Sequence, residues 1–246
     1  MSIQIRELIS TTHESIELKS YVCLPEDASD DKPVPAILVA PEWWGVVEHP
    51  RKVTERLAEA GFAAVAMDVY GEGKLTTDAA QANEWMTQML AEPSLLMARC
   101  ELIMKDFCDL LSVDEHKLGA IGFCFGGKIV LDMARQGLPI KAVATFHGNP
   151  TPFQPAQKGQ FHANVLVAHG LADTMVAVEA VEGLKQELHS AGVSYDVDYY
   201  KDAKHGFTNP DADKRAAENH VDLGYNAEAA KLSWDKMIGF MQENLV

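Results

Sequence analysis

The sequence predicts an α/β fold: a mostly parallel, doubly wound sheet with helices on both faces and no large cap domain. Apolar runs of strand length alternate with segments of helical period along most of the chain. The runs at 34–40, 62–67 and 140–146 are almost continuously apolar, as strands covered on both faces are. No repeat or compositional break interrupts the pattern, so residues 1–246 read as one domain.

The elements follow in order. Residues 15–24 (SIELKSYVCL) alternate like a half-exposed antiparallel strand, with 3–8 as its hairpin neighbour at a sheet edge. Residues 34–40 (VPAILVA) form the first buried strand. Helical 50–60 follows, with Val53, Leu57 and Ala60 on one face, and strand 62–67 completes a β-α-β unit. Helices at 79–90 and 94–111, strand 117–123, helix 126–136 and strand 140–146 continue the alternation. The Pro- and Gly-rich stretch 148–159 (GNPTPFQPAQKG) reads as a surface loop, because strand-like sequence resumes directly after it. Strands at 163–168 and 195–200 enclose helix 176–190, and the last helix spans 226–244.

Composition excludes several classes of function. With 47% hydrophobic and 23% charged residues, the chain can bury a large core. A net charge of −15 repels phosphate backbones and anionic membrane surfaces, which argues against nucleic-acid and membrane partners. Residues 1–10 lack the apolar stretch of a signal peptide, and no apolar run approaches the ~20 residues of a membrane helix. The four cysteines have neither CxxC spacing nor the density of a disulfide scaffold, so a reducing cytoplasm is expected. No cofactor or metal is expected: Pro41-Glu42-Trp43-Trp44-Gly45 stands where a GxGxxG turn would follow the first parallel strand, and no HExxH is present.

Chemistry concentrates at Gly122-Phe123-Cys124-Phe125-Gly126-Gly127, between a strand and a helix. This G-x-Nuc-x-G pattern is the nucleophile elbow of α/β-hydrolases, a turn so sharp that side chains two residues either side of the nucleophile would clash. Cys124 is therefore the candidate nucleophile, and the helix starting behind it favours a thiolate. In that fold the acid and then the base follow the nucleophile, each after a later strand. Asp173 and His205 occupy those places, ahead of Asp196, Asp198 and Asp202, which sit in or beside the last strand. His147 and His169 also end strands, where loop histidines bonded to backbone are the ordinary outcome. The oxyanion donors are expected to be the backbone N–H groups of Phe125 and Trp43. Glu42 lies among aromatics in the loop with Trp43, surroundings that tend to raise a carboxylate's proton affinity.

Glu42, the cysteine elbow, Asp173 and His205-Gly206-Phe207 together resemble the dienelactone hydrolase (carboxymethylenebutenolidase) family over nearly the whole chain. The resemblance implies a Cys124-His205-Asp173 triad and a Glu42 that contacts and helps activate the thiol. Family enzymes acting on dienelactone grip its carboxylate with two arginines, one after the strand equivalent to 62–68 and one four residues after the catalytic histidine. Here those places hold Val69-Tyr70-Gly71-Glu72-Gly73-Lys74 and Asn209. Lys74 or Lys204 could supply a charge, but without the bidentate fit of a guanidinium. With Trp44, Tyr70 and Phe207 expected to bind substrate, a neutral small ester or lactone is the predicted partner rather than dienelactone. Two alternatives oppose the hydrolase. A binding or redox-sensitive protein on the same fold has no need of the ordered triad, and a nucleotide or flavin protein lacks its glycine fingerprint.

Overall fold

The computed structural model describes residues 2–12 and 14–246. The chain divides into two compact units, Met1–Ala120 and Ile121–Val246. Its strands belong to an eight-stranded, mostly parallel sheet.

In the first unit, β1 (Ile3–Thr11) and β2 (Glu17–Pro25) form an antiparallel hairpin in which Ile3 faces Pro25 and Thr11 faces Glu17. β2 pairs antiparallel with β4 (Ala63–Ala66), which pairs parallel with β3 (Val34–Ala40). Helix α1 (Glu48–Glu59) connects β3 to β4 and buries Val53 and Leu57, each full burial contributing about 1.5–3 kcal/mol. It meets β2 on the Tyr21 face, where Tyr21 Oη donates to Glu55 at 2.9 Å. The opposite face of β2 carries Leu18, and Gly71 lies between Leu18 and Arg99 of α3 (Pro93–Cys108). Helices thus flank this part of the sheet on both sides. Ahead of α3, α2 (Ala79–Ala91) is capped by Asp78, whose side chain accepts from Gln81 N–H.

β5 (Val113–Phe123) starts four residues earlier than its apolar content predicts, and α3 stops three residues short of the expected 111. The polar run Asp114-Glu115-His116 conceals the strand. Backbone pairing near its start outweighs composition: Val34 N–H donates to Ser112 O at 3.1 Å.

In the second unit, α4 (Phe125–Arg135) packs on β6 (Ala142–Phe146), which pairs parallel with β7 (Asn164–Gly170); β7 in turn pairs parallel with β8 (Tyr195–Tyr200). Helix α5 (Val178–Ala191) links β7 to β8, and α7 (Ala227–Leu245) packs on β6 and β7. Every residue of α4 is buried, its charges included. Those charges are paired: Lys128 and Arg135 bind Asp132 at 2.8 and 2.9 Å, and Arg135 binds both oxygens of Glu187 on α5 at 2.8 Å. The same groups hold the 148–159 loop. Arg135 donates to Pro150 O and Lys128 to Thr151 O, while Glu187 accepts from Ala156 N–H. That stretch is a fastened loop, as expected. Helix α6 (Ala212–Asn219) went unforeseen, because only Ala212 and Arg215 of its eight residues are buried and no apolar stripe marks it.

Candidate active site

The elbow is built by backbone constraint. β5 ends at Phe123 and α4 starts at Phe125, so Cys124 alone makes the turn, at φ 53° and ψ −114°. Such a positive φ is uncommon outside glycine and characteristic of strained functional positions. Gly122 permits the turn: a Cβ there would lie 2.0 Å from Gly126 O. Gly127 and Gly148 allow α4 to approach the end of β6, since a Cβ on Gly127 would come within 2.8 Å of Gly148 Cα. Cys124 N–H is secured to Phe146 O at 3.0 Å. Phe125 opens α4, at a position where the helix itself supplies no acceptor for its N–H.

Asp173 stands in the turn after β7, three residues beyond Gly170. Its Oδ1 accepts from Met175 and Val176 N–H at 2.8 and 2.9 Å, and its Oδ2 lies 2.9 Å from His205 Nδ1. Backbone bonds lash the acid loop to the base loop: Leu171 N–H donates to Tyr200 O and Ala172 N–H to Ala203 O. The contact is close enough that a Cβ on Gly170 would sit 2.2 Å from Ala203 O.

His205 is 3% exposed. Burial lowers its pKa, but the charge of Cys124, the hydrogen bonds to Asp173 and Cys124 and the charge of Asp173 together prevail and push it up to about 10. Its Nδ1 is held by Asp173, and its Nε2 is buried. The rival acids are placed elsewhere: Asp196 lies 3.3 Å from Lys236, and Asp202 sits in a positive-φ turn.

A strap at 221–226 crosses the base loop. Gly224 N–H donates to His205 O and Asn226 N–H to Phe207 O. Asp222 accepts from Thr174, next to the acid, and from Lys204, next to the base, both at 2.6 Å. Lys204 is thus engaged with a carboxylate rather than free to meet a substrate anion. Asn209, where the family places an arginine, is buried and accepts from Asp211 N–H. Phe207 has no exposed surface and packs on His147 and Tyr200. His169 lies inside β7 rather than in a loop. It is buried, its Nε2 makes no hydrogen bond among the described residues, and burial lowers its pKa.

In the first unit, the loop after β3 holds Glu42, Trp43 and Trp44, all buried. Glu42 Oε2 lies 3.5 Å from His49 Nδ1, so α1 adds an ionisable neighbour that the aromatic setting did not suggest. Tyr70 Oη donates to Trp43 O at 3.0 Å, and Thr76 N–H donates to Trp44 O. Arg99, which sequence reasoning passed over as part of an ordinary helix, holds the Tyr70 loop through Val69 O and Tyr70 O at 3.0 and 2.7 Å. The Asp68 carboxylate accepts from the backbone N–H groups of Lys19, Gly71 and Gly73. Lys74 is exposed. Among the described residues no cluster of His, Cys, Asp and Glu is placed to hold a metal ion, and no helix is long and apolar enough to cross a membrane.

The chain is similar to known proteins in sequence and in shape. The model of the dienelactone hydrolase family matches residues 18–245. A Synechocystis sp. protein provisionally named carboxymethylenebutenolidase is 28% identical over 261 residues, covering 100% of both chains. The crystal structure of P91, described as a dienelactone hydrolase-like promiscuous phosphotriesterase from metagenomic libraries, superposes with a TM-score of 0.92 at 30% identity, over 100% of both chains. Dienelactone hydrolase from Anabaena variabilis ATCC 29413 shares the fold, with a TM-score of 0.72 at 18% identity over 100% of both chains.

Proposed function

Because the chain belongs to the dienelactone hydrolase family and is therefore a hydrolase, we propose that it cleaves small neutral esters and lactones with Cys124 as nucleophile, His205 as base and Asp173 as orienting acid. The observation that carries this reading is the 2.9 Å contact of Asp173 Oδ2 with His205 Nδ1, with the charge of the elbow cysteine among the causes that raise the His205 pKa.

In the reaction, Cys124 Sγ forms a bond to the carbonyl carbon and the displaced electron pair moves to oxygen, where Phe125 N–H donates to it. Collapse breaks the carbon–oxygen bond, and the leaving alkoxide takes the proton from His205 Nε2. The product of this half-reaction is a thioester. His205 then takes a proton from water as the hydroxide adds to the thioester, and collapse returns Cys124 with release of the acid. With a lactone the alkoxide stays attached, so the product is a hydroxy acid. Asp173 keeps Nδ1 protonated and fixes the ring. Glu42 as activator and Trp43 N–H as second oxyanion donor belong to this proposal on the strength of the sequence and the family resemblance. Four free cysteines accord with a reducing compartment such as the cytoplasm.

Substrate charge follows from the cations. With Lys204 bound to Asp222 and Asn209 in place of an arginine, an anionic acyl group would be left unpaired, which is costly on burial. A neutral lactone or short ester should show a higher kcat/KM than a size-matched analogue bearing a carboxylate, at low and at moderate salt. Persistent preference for the carboxylate at both salt levels would restore dienelactone-like substrates. Neutral phosphotriesters form a second substrate class to test, favoured by the likeness to P91, whose description names that activity.

A further inference from the structure

We propose that His147 is a positioning residue for His205, holding the imidazole so that Nε2 faces Cys124 while Nδ1 stays on Asp173. The proposal rests on the triad reading above and deepens it.

The need for such a residue is geometric. A single hydrogen bond at Nδ1 leaves the ring free to tilt about that contact, because histidine χ2 is broad. Proton transfer tolerates little tilt, since the base must stay within about 2.6–3.2 Å of its partner. His147 supplies lateral support. Its ring meets His205 edge to face, with centroids 5.0 Å apart at 65°, and meets Phe207 the same way at 5.2 Å and 75°. Its Nε2 lies 2.9 Å from Thr208 Oγ1, three residues after His205 in the same segment. One side chain from the end of β6 therefore touches the 205–208 segment at three places.

The backbone anchors this support to the nucleophile. His147 N–H donates to Ala168 O at 2.9 Å, and the residue before it, Phe146, accepts from Cys124 N–H at 3.0 Å. His147 itself is 1% exposed and sits at φ 41°, a conformation glycine adopts freely and other residues rarely. A histidine retained in that conformation places a ring where glycine would leave a gap, a pattern met at active sites. The end of β6 thus sets nucleophile and base in one frame.

The test measures kcat and KM on a neutral p-nitrophenyl ester for the full chain and for Cys124→Ala, His147→Asn, His147→Phe and Thr208→Val. Asparagine keeps tolerance of the positive φ and removes the ring. His147→Asn should lose roughly tenfold or more in kcat, with KM nearly unchanged and native near-UV circular dichroism. His147→Phe and Thr208→Val keep the packing and lose the hydrogen bond, so both should fall between His147→Asn and the native enzyme. Native kcat in His147→Asn, a loss carried by KM, or a phenylalanine variant no better than the asparagine one would overturn the proposal. Should His147→Asn fail to fold, Thr208→Val decides: a loss of about threefold or more supports the proposal, and none overturns it. Turnover surviving in Cys124→Ala would instead defeat the triad reading, a result distinct from any seen at His147.

Discussion

Cysteines occur in two settings in this protein, and the settings differ in backbone conformation and in burial. Cys23 on β2 and Cys100 and Cys108 on α3 stand in regular elements of the first unit, where burial pushes their thiols up to about 11, 12 and 11. Cys124 in the second unit stands outside any regular element, half-buried, on a strained turn, and its charge is among the causes that raise the pKa of His205. A thiol in a helix or strand is turned into the packing by its neighbours; one on a strained turn is held out of it.

The comparison can be broken most severely by removing the elbow thiol. Cys124→Ala should lower ester turnover by roughly a thousandfold or more, and His205→Ala or Asp173→Asn by about a hundredfold or more, with the fold retained. Steady-state assays check this, and near-native rates in all three would mean that the setting of Cys124 carries no chemistry. Alkylation sharpens the contrast. Brief iodoacetamide treatment near pH 7.5 should label Cys124 well ahead of the others, whose raised pKa values keep them as unreactive thiols at that pH. Peptide mapping showing Cys23 or Cys108 labelled first would reverse the assignment.

A third experiment reads the pairing from the histidine side. The Cys124 charge and hydrogen bond both raise the His205 pKa, whereas burial lowers it, so removing the thiol leaves burial opposed only by Asp173. The His205 pKa in Cys124→Ala, followed by NMR titration, should fall from its value in the native protein; an unchanged value would show that the two groups do not interact. The smallest effect is expected at Asp222. Its bonds to Thr174 and Lys204 lie on the exposed side of the base loop, where ion pairs contribute about 0.2–1 kcal/mol. Asp222→Asn should therefore change kcat by less than about fivefold and barely alter the melting temperature. A loss as large as that of Asp173→Asn would show that the strap, and not only the buried contacts, sets the base.

Much of this site could be read in advance because its determinants are local. Gly122 and Cys124 lie within three residues, and one tight turn, which brings the backbone of Gly126 against Gly122, explains both. Asp173 and His205 followed from strand order, since each lies just beyond the end of a parallel strand. The misses have a common physical origin. His147 and His169 resembled loop histidines because polarity says nothing of what a strand end is packed against. No motif marks Arg99, although it is buried against the Tyr70 loop, and α6 has too few buried residues to leave a period.

By itself the sequence determined the α/β alternation, the elbow spacing and the chain order of Cys124, Asp173 and His205, because these depend on spacing and backbone sterics within short segments. Only the tertiary structure decided which carboxylate His205 engages, since Asp173, Asp196 and Asp202 differ in direction rather than in kind. It also decided that Lys204 is tied to Asp222 and that His147 presses on His205. Those contacts join residues 18 and 58 positions apart, a separation at which residue type no longer specifies a neighbour and only the path of the folded backbone does.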